Sequence, residues 1–535
     1  MPGVLAFVLA TLPFAARPAE SKKDLFRVVS AFVDYRNHSG PAVKRSIVEM
    51  VGAGVCMLDY DGDGLDDLYF PDGGAPGLRT SNRLYRNRGE LVFQDATREA
   101  GVGHEGWAGG CAVADIDHDG DPDLYVTNTG PNVLYRNNGD GTFEAVEAGV
   151  EHPGWSTGAA FGDLDGDGLV DLYVCNYIDR ERADLKARCS YFGIEVFCGP
   201  NGLPGEPDAL FRNENGRSFR DVTAEAGVLS PETRGFSVLL ADLDGDRLPD
   251  IHVANDATID LLFRNLGGMR FEDVSLLSGA GYSGSGVEQS GMGSTAGDFD
   301  GDGDLDLYVT NFQRDYNTLY ENQGELRFTD ATARLDLAVP TLPYLGWGTV
   351  FFDADNDGWL DLFVANGHIY SELDHHPEIG EPYAQRNQLF LGHGRTFEEA
   401  PLADHARVSR GTALGDLNRD GALDVVVNNL DSAPDLYVGR VAGKWLRVRL
   451  IGTASNRDGL GATLVVSSAG ANQFRELRTS DGFLGANEPI AHFGLGELER
   501  VDRLVVTWPS GQEDRLEGLE AGRSYLVKEG VGWLR

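Results

Sequence analysis

Nine residues, DFDGDGDLD from Asp298 to Asp306, place carboxylates at positions 1, 3, 5 and 9 and glycine at position 6. A hard divalent cation such as calcium takes six to eight oxygen ligands, and clustered carboxylates on a tight loop supply them. In an EF-hand, position 12 is a bidentate Glu that opens a helix, but here it is Val309, inside the apolar run LYVTN. The loop therefore leads into a strand. The small residues GMGSTAG before it suit a closely packed strand, so the unit reads as a β-hairpin with a metal at its turn.

Six further copies recur. Asp59, Asp61, Asp63 and Asp67 form the first, Asp115, Asp117, Asp119 and Asp123 the second, and Asp163, Asp165, Asp167 and Asp171 the third. The fourth is Asp242, Asp244, Asp246 and Asp250; the fifth is Asp298, Asp300, Asp302 and Asp306. Asp353, Asp355, Asp357 and Asp361 make the sixth, and Asp416, Asn418, Asp420 and Asp424 the seventh. Asp and Gly dominate ordinary turns, yet a turn needs one or two of them, not four mutually repelling carboxylates at fixed offsets. The expected cofactor is Ca2+, up to seven ions. Arg247 replaces glycine at position 6 of the fourth loop and Asn418 removes a charge from the seventh, so these two are the weaker sites.

Successive first aspartates are 56, 48, 79, 56, 55 and 63 residues apart. A period near 55 residues is too long for a β-helix coil and suits a propeller blade of four short strands. A second signal follows each hairpin but the last, as in NRLYRNRG from Asn82, NVLYRNNG from Asn132 and NTLYENQG from Asn317, and most copies continue into a strand such as FQDAT. The final repeat stops at DLYVG from Asp435, whereas one apolar segment near Phe26 to Tyr35 has no partner, so the two are expected to pair and close the ring. The fold class expected is all-β: a seven-bladed β-propeller over residues 24–440 with calcium hairpin loops, plus a small all-β domain over residues 441–535 built from alternating strands such as KWLRVRLIG and RLVVTWPSG.

The formal charge is -39, with 84 acidic against 45 basic residues, and the loop ligands hold a large part of the acids. A balance this acidic opposes binding to nucleic acid or anionic lipid, which requires basic patches, so no nucleic-acid partner is expected. Residues 1–19 read as a signal peptide, whose apolar run from Val4 to Ala16 is too short to span a bilayer, although no Lys or Arg precedes it. The expected location is exported: periplasmic, cell-surface or extracellular, without membrane insertion. Among five cysteines, Cys189 and Cys198 lie close together in the insertion 178–207 and are expected to form a local disulfide; Cys56, Cys111 and Cys175 read as buried free thiols.

These features together resemble the cartilage acidic protein family, in which FG-GAP/VCBS-type repeats precede a C-terminal ASPIC/UnbV domain. SNRDGLGATLVV from Ser455, SDGFLGANEPIAHFGLG from Ser480 and VDRLVVTWPSG from Val501 carry the resemblance in the tail, and CGPNGLPGEPDALFRN from Cys198 is similar to the bacterial branch. The resemblance implies a calcium-binding, exported propeller. Animal members are matrix proteins, and some bacterial members are encoded beside enediyne biosynthesis.

Two functions follow. The first is a binding or adhesion module stiffened by structural calcium, with an extracellular protein or glycan as ligand. The alternative is an enzyme, for example in secondary-metabolite biosynthesis, using the channel or the loop where His368, Glu372, Asp374, His375 and His376 lie close in sequence near Tyr370. No zinc-type spacing is present there, and no catalytic residue is assigned. GWSTG from Gly154 leads into a strand instead of a nucleophile elbow, and Trp107, Trp155 and Trp347, each just ahead of an inner strand, either line the channel mouth or pack between blades.

Overall fold

The computed structural model describes residues 25–41, 43–74 and 80–534; the signal-peptide reading of 1–19 lies outside them. The recurring hairpin dictates the architecture. In each repeat an inner strand runs into the acidic loop and returns as a second strand beginning at the ninth loop residue; the first six repeats continue through two more strands and the seventh through one. The inner strands are Val55–Leu58, Ala108–Ala114, Ser156–Gly162, Gly235–Ala241, Gly291–Gly297, Gly346–Phe352 and Ser409–Gly415. Each packs beside the next, and the last packs beside the first, so seven sheets stand around one axis as a β-propeller.

Closure uses chain from both ends of the ring. Phe26–Ser30 pairs antiparallel with Asp435–Gly439, Phe26 opposite Gly439 and Ser30 opposite Asp435, so the seventh sheet gains its outer strand and loses an open edge. Between sheets the core is apolar and aromatic; Tyr69, Tyr125, Tyr173, Tyr308 and Tyr437 are almost fully buried.

From Lys444 onward the chain forms two further four-stranded sheets, one around Lys444–Ile451 and Arg523–Lys528, the other around Thr463–Ser468 and Arg500–Thr507. Their apolar face, with Leu446, Phe493, Trp508 and Tyr525, is continuous with Ala112, Ala114 and Phe161 of the ring. This unit sits on the end of the ring that carries the acidic loops.

A finger of that unit fills the ring's centre, where an open channel was expected. Gly485–Ala486 adds a parallel strand to Val55–Leu58, with Val55 opposite Gly485. Gly482 exchanges backbone hydrogen bonds with Ser294, at 2.6 and 3.2 Å. Phe483 is fully buried against Trp347 and Phe236, and Thr479 Oγ1 donates to Val113 O. The approach is so close that a Cβ on Gly54 would lie 2.1 Å from Leu484 O, which only glycine permits. A ligand cannot thread this axis while the finger is in place.

Trp155 and Trp347 are core residues: Trp347 lies under the Arg410 guanidinium at 4.0 Å and donates to Gly367 O. Ser156 is buried at the start of an inner strand and donates to Asn176. Cys189 and Cys198 are joined, as their spacing predicted, across the hairpin Arg188–Tyr191 and Ile194–Phe197. Cys56 and Cys111, expected as free thiols, are joined instead. They stand three and four residues ahead of the first aspartates of loops one and two, on inner strands that are neighbours in space, with Cα atoms 6.2 Å apart. Cys175 alone is free and buried.

Candidate metal centres

Each acidic loop is folded around its first and ninth residues. The N–H of the sixth residue donates to the first aspartate in all seven loops, from Gly64 to Asp59 at 2.9 Å through to Gly421 to Asp416 at 2.9 Å. The ninth aspartate is buried and accepts two backbone N–H bonds. For Asp123 these come from Ile116 at 3.0 Å and Asn137 at 2.8 Å, and the same pair recurs in every loop.

Arg247 adopts φ +73°, the left-handed region its glycine counterparts occupy, and its N–H bonds Asp242 at 2.9 Å. The fourth loop therefore keeps the shared shape at some backbone cost.

The loops gather the predicted carboxylates. Oxygens of Asp59, Asp61 and Asp67, of Asp115, Asp117 and Asp123, and of Asp163, Asp165 and Asp171 lie within 4.8 Å of one another, and so do those of Asp242, Asp244 and Asp246 and of Asp298, Asp300 and Asp302. Burial, with repulsion between neighbours, pushes the Asp67, Asp123 and Asp424 carboxyls up to about 8 and Asp306 to about 9. Asp115 and Asp298 are raised to about 7 for the same reasons. In the sixth loop Asp353 and Asp361 are raised by burial and by the other loop carboxylates.

Asp59 Oδ1, Asp115 Oδ1 and Asp117 Oδ1 are buried and accept no hydrogen bond. Buried carboxylate oxygens that repel one another and lack donors fit a hard cation bound to oxygen, and these residues could hold metal ions.

Arginines modulate the charge. Arg86 reaches Asp61 and Asp63 at 2.6 and 2.9 Å, Arg212 reaches Asp165 and Asp167 at 2.6 and 3.0 Å, and Arg264 reaches Asp244 at 2.8 Å, all from third strands. The seventh loop differs most: buried Arg447 of the C-terminal unit contacts Asp416 at 3.0 Å, and Asn418 donates to Asp420.

The asparagine that ends each LYRN-type strand escaped the sequence reading, although its recurrence was visible. Asn137 Nδ2 donates at 2.9 Å to Tyr60 O, the second residue of the preceding loop, and Asn87, Asn213, Asn265 and Asn322 do the same to Leu417, Ile116, Leu164 and Leu243. Five loops are thus tied to the neighbouring sheet. Gly392 and Gly439 stand at the equivalent positions of the sixth and seventh sheets and offer no side chain.

The C-terminal unit caps the loops from below. Asp458 accepts from Asp115 N at 2.9 Å, Glu476 from Asp242 N at 3.0 Å and Glu488 from Asp416 N at 3.1 Å.

The sixth-sheet insertion does not gather its histidines. His368 is buried between Tyr191, Phe312 and Tyr370, its imidazole driven down to about 3 by burial and by Arg410, and its Nδ1 accepts from Tyr370 N. His375 is exposed and His376 pairs with Glu378 at 2.9 Å.

Comparison with known proteins follows the same division. A model described as FG-GAP-like repeat matches residues 59–126, 115–174, 242–309 and 298–364, and one described as ASPIC and UnbV matches 452–532. Cartilage acidic protein 1 of Homo sapiens is 29% identical over 333 residues, 59% of this chain and 47% of its own. The protein of the same name from Xenopus tropicalis is 26% identical over 491 residues, 86% of this chain and 70% of its own. The chain spans about half the length of the human and mouse relatives it matches. Among solved structures, YCF48 bound to a D1 peptide aligns with TM-score 0.43 and 7% identity over 82% of this chain and 100% of that one, and an N-acetylglucosamine-recognising lectin of Agrocybe aegerita with TM-score 0.37 and 15% identity over 84% and 96%.

Proposed function

From the premise that this chain is an FG-GAP-repeat protein with an ASPIC and UnbV domain, homologous to cartilage acidic protein 1, we propose that it is an exported binding module whose ring is held rigid by calcium in the acidic loops. The observation that carries the reading is the set of buried, donor-less carboxylate oxygens at Asp59, Asp115 and Asp117, inside loops tied to neighbouring sheets by Asn137 and Asn213. Residues of all seven loops would hold the ions; an ion bound there supplies charge neutralisation and converts its binding free energy into folding free energy.

Two disulfides and an acidic, glycine-rich β chain support an oxidising, calcium-rich location outside the cytoplasm. Among the described residues no helix is long and apolar enough to cross a membrane.

The C-terminal unit covers the loop end and its finger fills the centre, so the partner, an extracellular protein or glycan, would meet the opposite end. There the insertion 178–207 packs on the insertion 367–386 through Tyr191, Phe197 and Tyr370, and Phe192 stands 57% exposed beneath Arg314. The test is thermal unfolding of the exported protein with a chelator and after calcium is restored. A large, reversible drop in Tm restored by calcium and not by magnesium is expected; an unchanged Tm overturns the reading.

A further inference from the structure

Between the loop ends of the fifth, sixth and seventh sheets and the C-terminal unit lies a cavity of about 100 Å3. Its polar lining includes Asp298, Asp353, Arg475, Arg478, Glu488 and His492. Most of these charges are matched. Arg478 lies 3.4 Å from Glu476 and 3.5 Å from Asp481, and Glu488 is paired with Arg447.

Arg475 is the exception. Among the described residues no carboxylate comes within 4.0 Å of its guanidinium, which donates to Phe474 O at 2.8 Å and Gln473 Oε1 at 3.4 Å and faces the Phe493 ring. Asp353 and Asp298 act on it from further away. Both are first residues of acidic loops, already committed to the N–H groups of Gly358 and Gly303.

His492 offers a second unmet group. It is 7% exposed, and its Nε2 lies 2.7 Å from Asn356 Oδ1. The Asn356 amide nitrogen donates to Gly421 O, so Oδ1 faces the ring, Nε2 carries the proton, and Nδ1 is a buried lone pair with no donor.

A planar guanidinium matches a carboxylate through two parallel N–H bonds, and a lone imidazole acceptor matches a hydroxyl. A cavity of about 150 Å3 holds benzene and a water occupies about 30 Å3, so this volume suits two or three carbons. We propose that the cavity binds a small hydroxycarboxylate, its carboxylate on Arg475 and its hydroxyl donating to His492 Nδ1. The proposal rests on the calcium reading in one respect only, that loop cations engage Asp298 and Asp353 and leave Arg475 as the free charge.

Isothermal titration of the full-length, calcium-loaded protein with glycolate, lactate and acetate tests it. Glycolate and lactate are expected to bind, with acetate about tenfold weaker for want of one hydrogen bond. Arg475→Met should abolish binding of all three, Arg475→Lys should retain part of it, and His492→Phe should erase the preference for glycolate over acetate. Calcium content and Tm of each variant establish that it is folded; if Arg475→Met fails that check, Arg475→Lys and the wild-type preference decide. No glycolate binding up to about 20 mM with calcium content intact overturns the inference and leaves the proposed function standing. Equal binding of glycolate and acetate, or binding indifferent to both Arg475 substitutions, also overturns it. Failure to take up calcium overturns the proposed function instead.

Discussion

The two ends of the ring solve the same problem with opposite chemistry. At one end, loop carboxylates crowd together with raised affinities for protons, and a second β unit bonds to their backbone through Asp458, Glu476 and Glu488. At the other, two long insertions interlock through Tyr191, Phe197, Ile369 and Tyr370, with a disulfide across one of them. The loop end is built from groups that repel until something neutralises them, whereas the insertion end is built mainly from apolar and aromatic surface, and its buried Glu381 is already paired with Arg314. Under the proposed function, ions stiffen one end of the ring and leave the other free to vary its loops for recognition.

The comparison breaks most visibly on chelation. A site at a hundred times its dissociation constant contributes about 2.7 kcal/mol, so losing several should lower Tm by on the order of 10 °C. Hydrogen exchange should rise first in the loops and the C-terminal unit, and later in the insertions; uniform exchange across both ends would erase the distinction. The chelated protein should also respond to pH. Burial raises the Asp115, Asp123 and Asp306 carboxyls to about 7, 8 and 9 in the folded chain against about 4 unfolded, so the folded chain holds extra protons and its stability falls as pH rises from about 4 to 9. With calcium present that fall should vanish, and the gap in Tm between loaded and chelated protein should widen with pH.

The finger supplies the next largest effect. Phe483→Ala removes a fully buried ring from the centre and should cost about 3 to 5 kcal/mol in chemical denaturation. Replacing Cys189 and Cys198 by serine opens a short loop, which should cost about 2 to 3 kcal/mol and leave calcium affinity unchanged; a fall in calcium affinity would mean the ends are coupled. Asn137→Ala should cost about 1 to 3 kcal/mol by stranding the Tyr60 and Pro122 carbonyls, and should weaken calcium in the first loop, read by calcium titration.

Much of this was legible in the chain itself. Acidic spacing located every loop, the interval near 55 residues gave the sheet repeat, and the unpartnered segment at Phe26 found its place beside Asp435. What escaped depends on which repeats are neighbours in space. Cys56 and Cys111 sit 55 residues apart, and only overlaying successive repeats puts them side by side. Asn137 reads as one polar residue in a strand until the preceding loop is set against it. SDGFLGANEP carries no charge pattern that announces insertion into the ring; its glycines do so only once Val55, Thr349 and Thr412 are seen pressed against them. The histidines near Tyr370 misled for the converse reason: closeness in sequence is not convergence, and His368 turns inward while His375 faces solvent.

The central claim is that the loop carboxylates hold calcium. It is tested most directly by counting metal ions per chain in protein equilibrated with micromolar calcium, by elemental mass spectrometry. The account predicts about five to seven calcium ions per chain, falling by one when Asp115 and Asp117 are both replaced by Asn. One calcium or none, with the protein still folded, would contradict it.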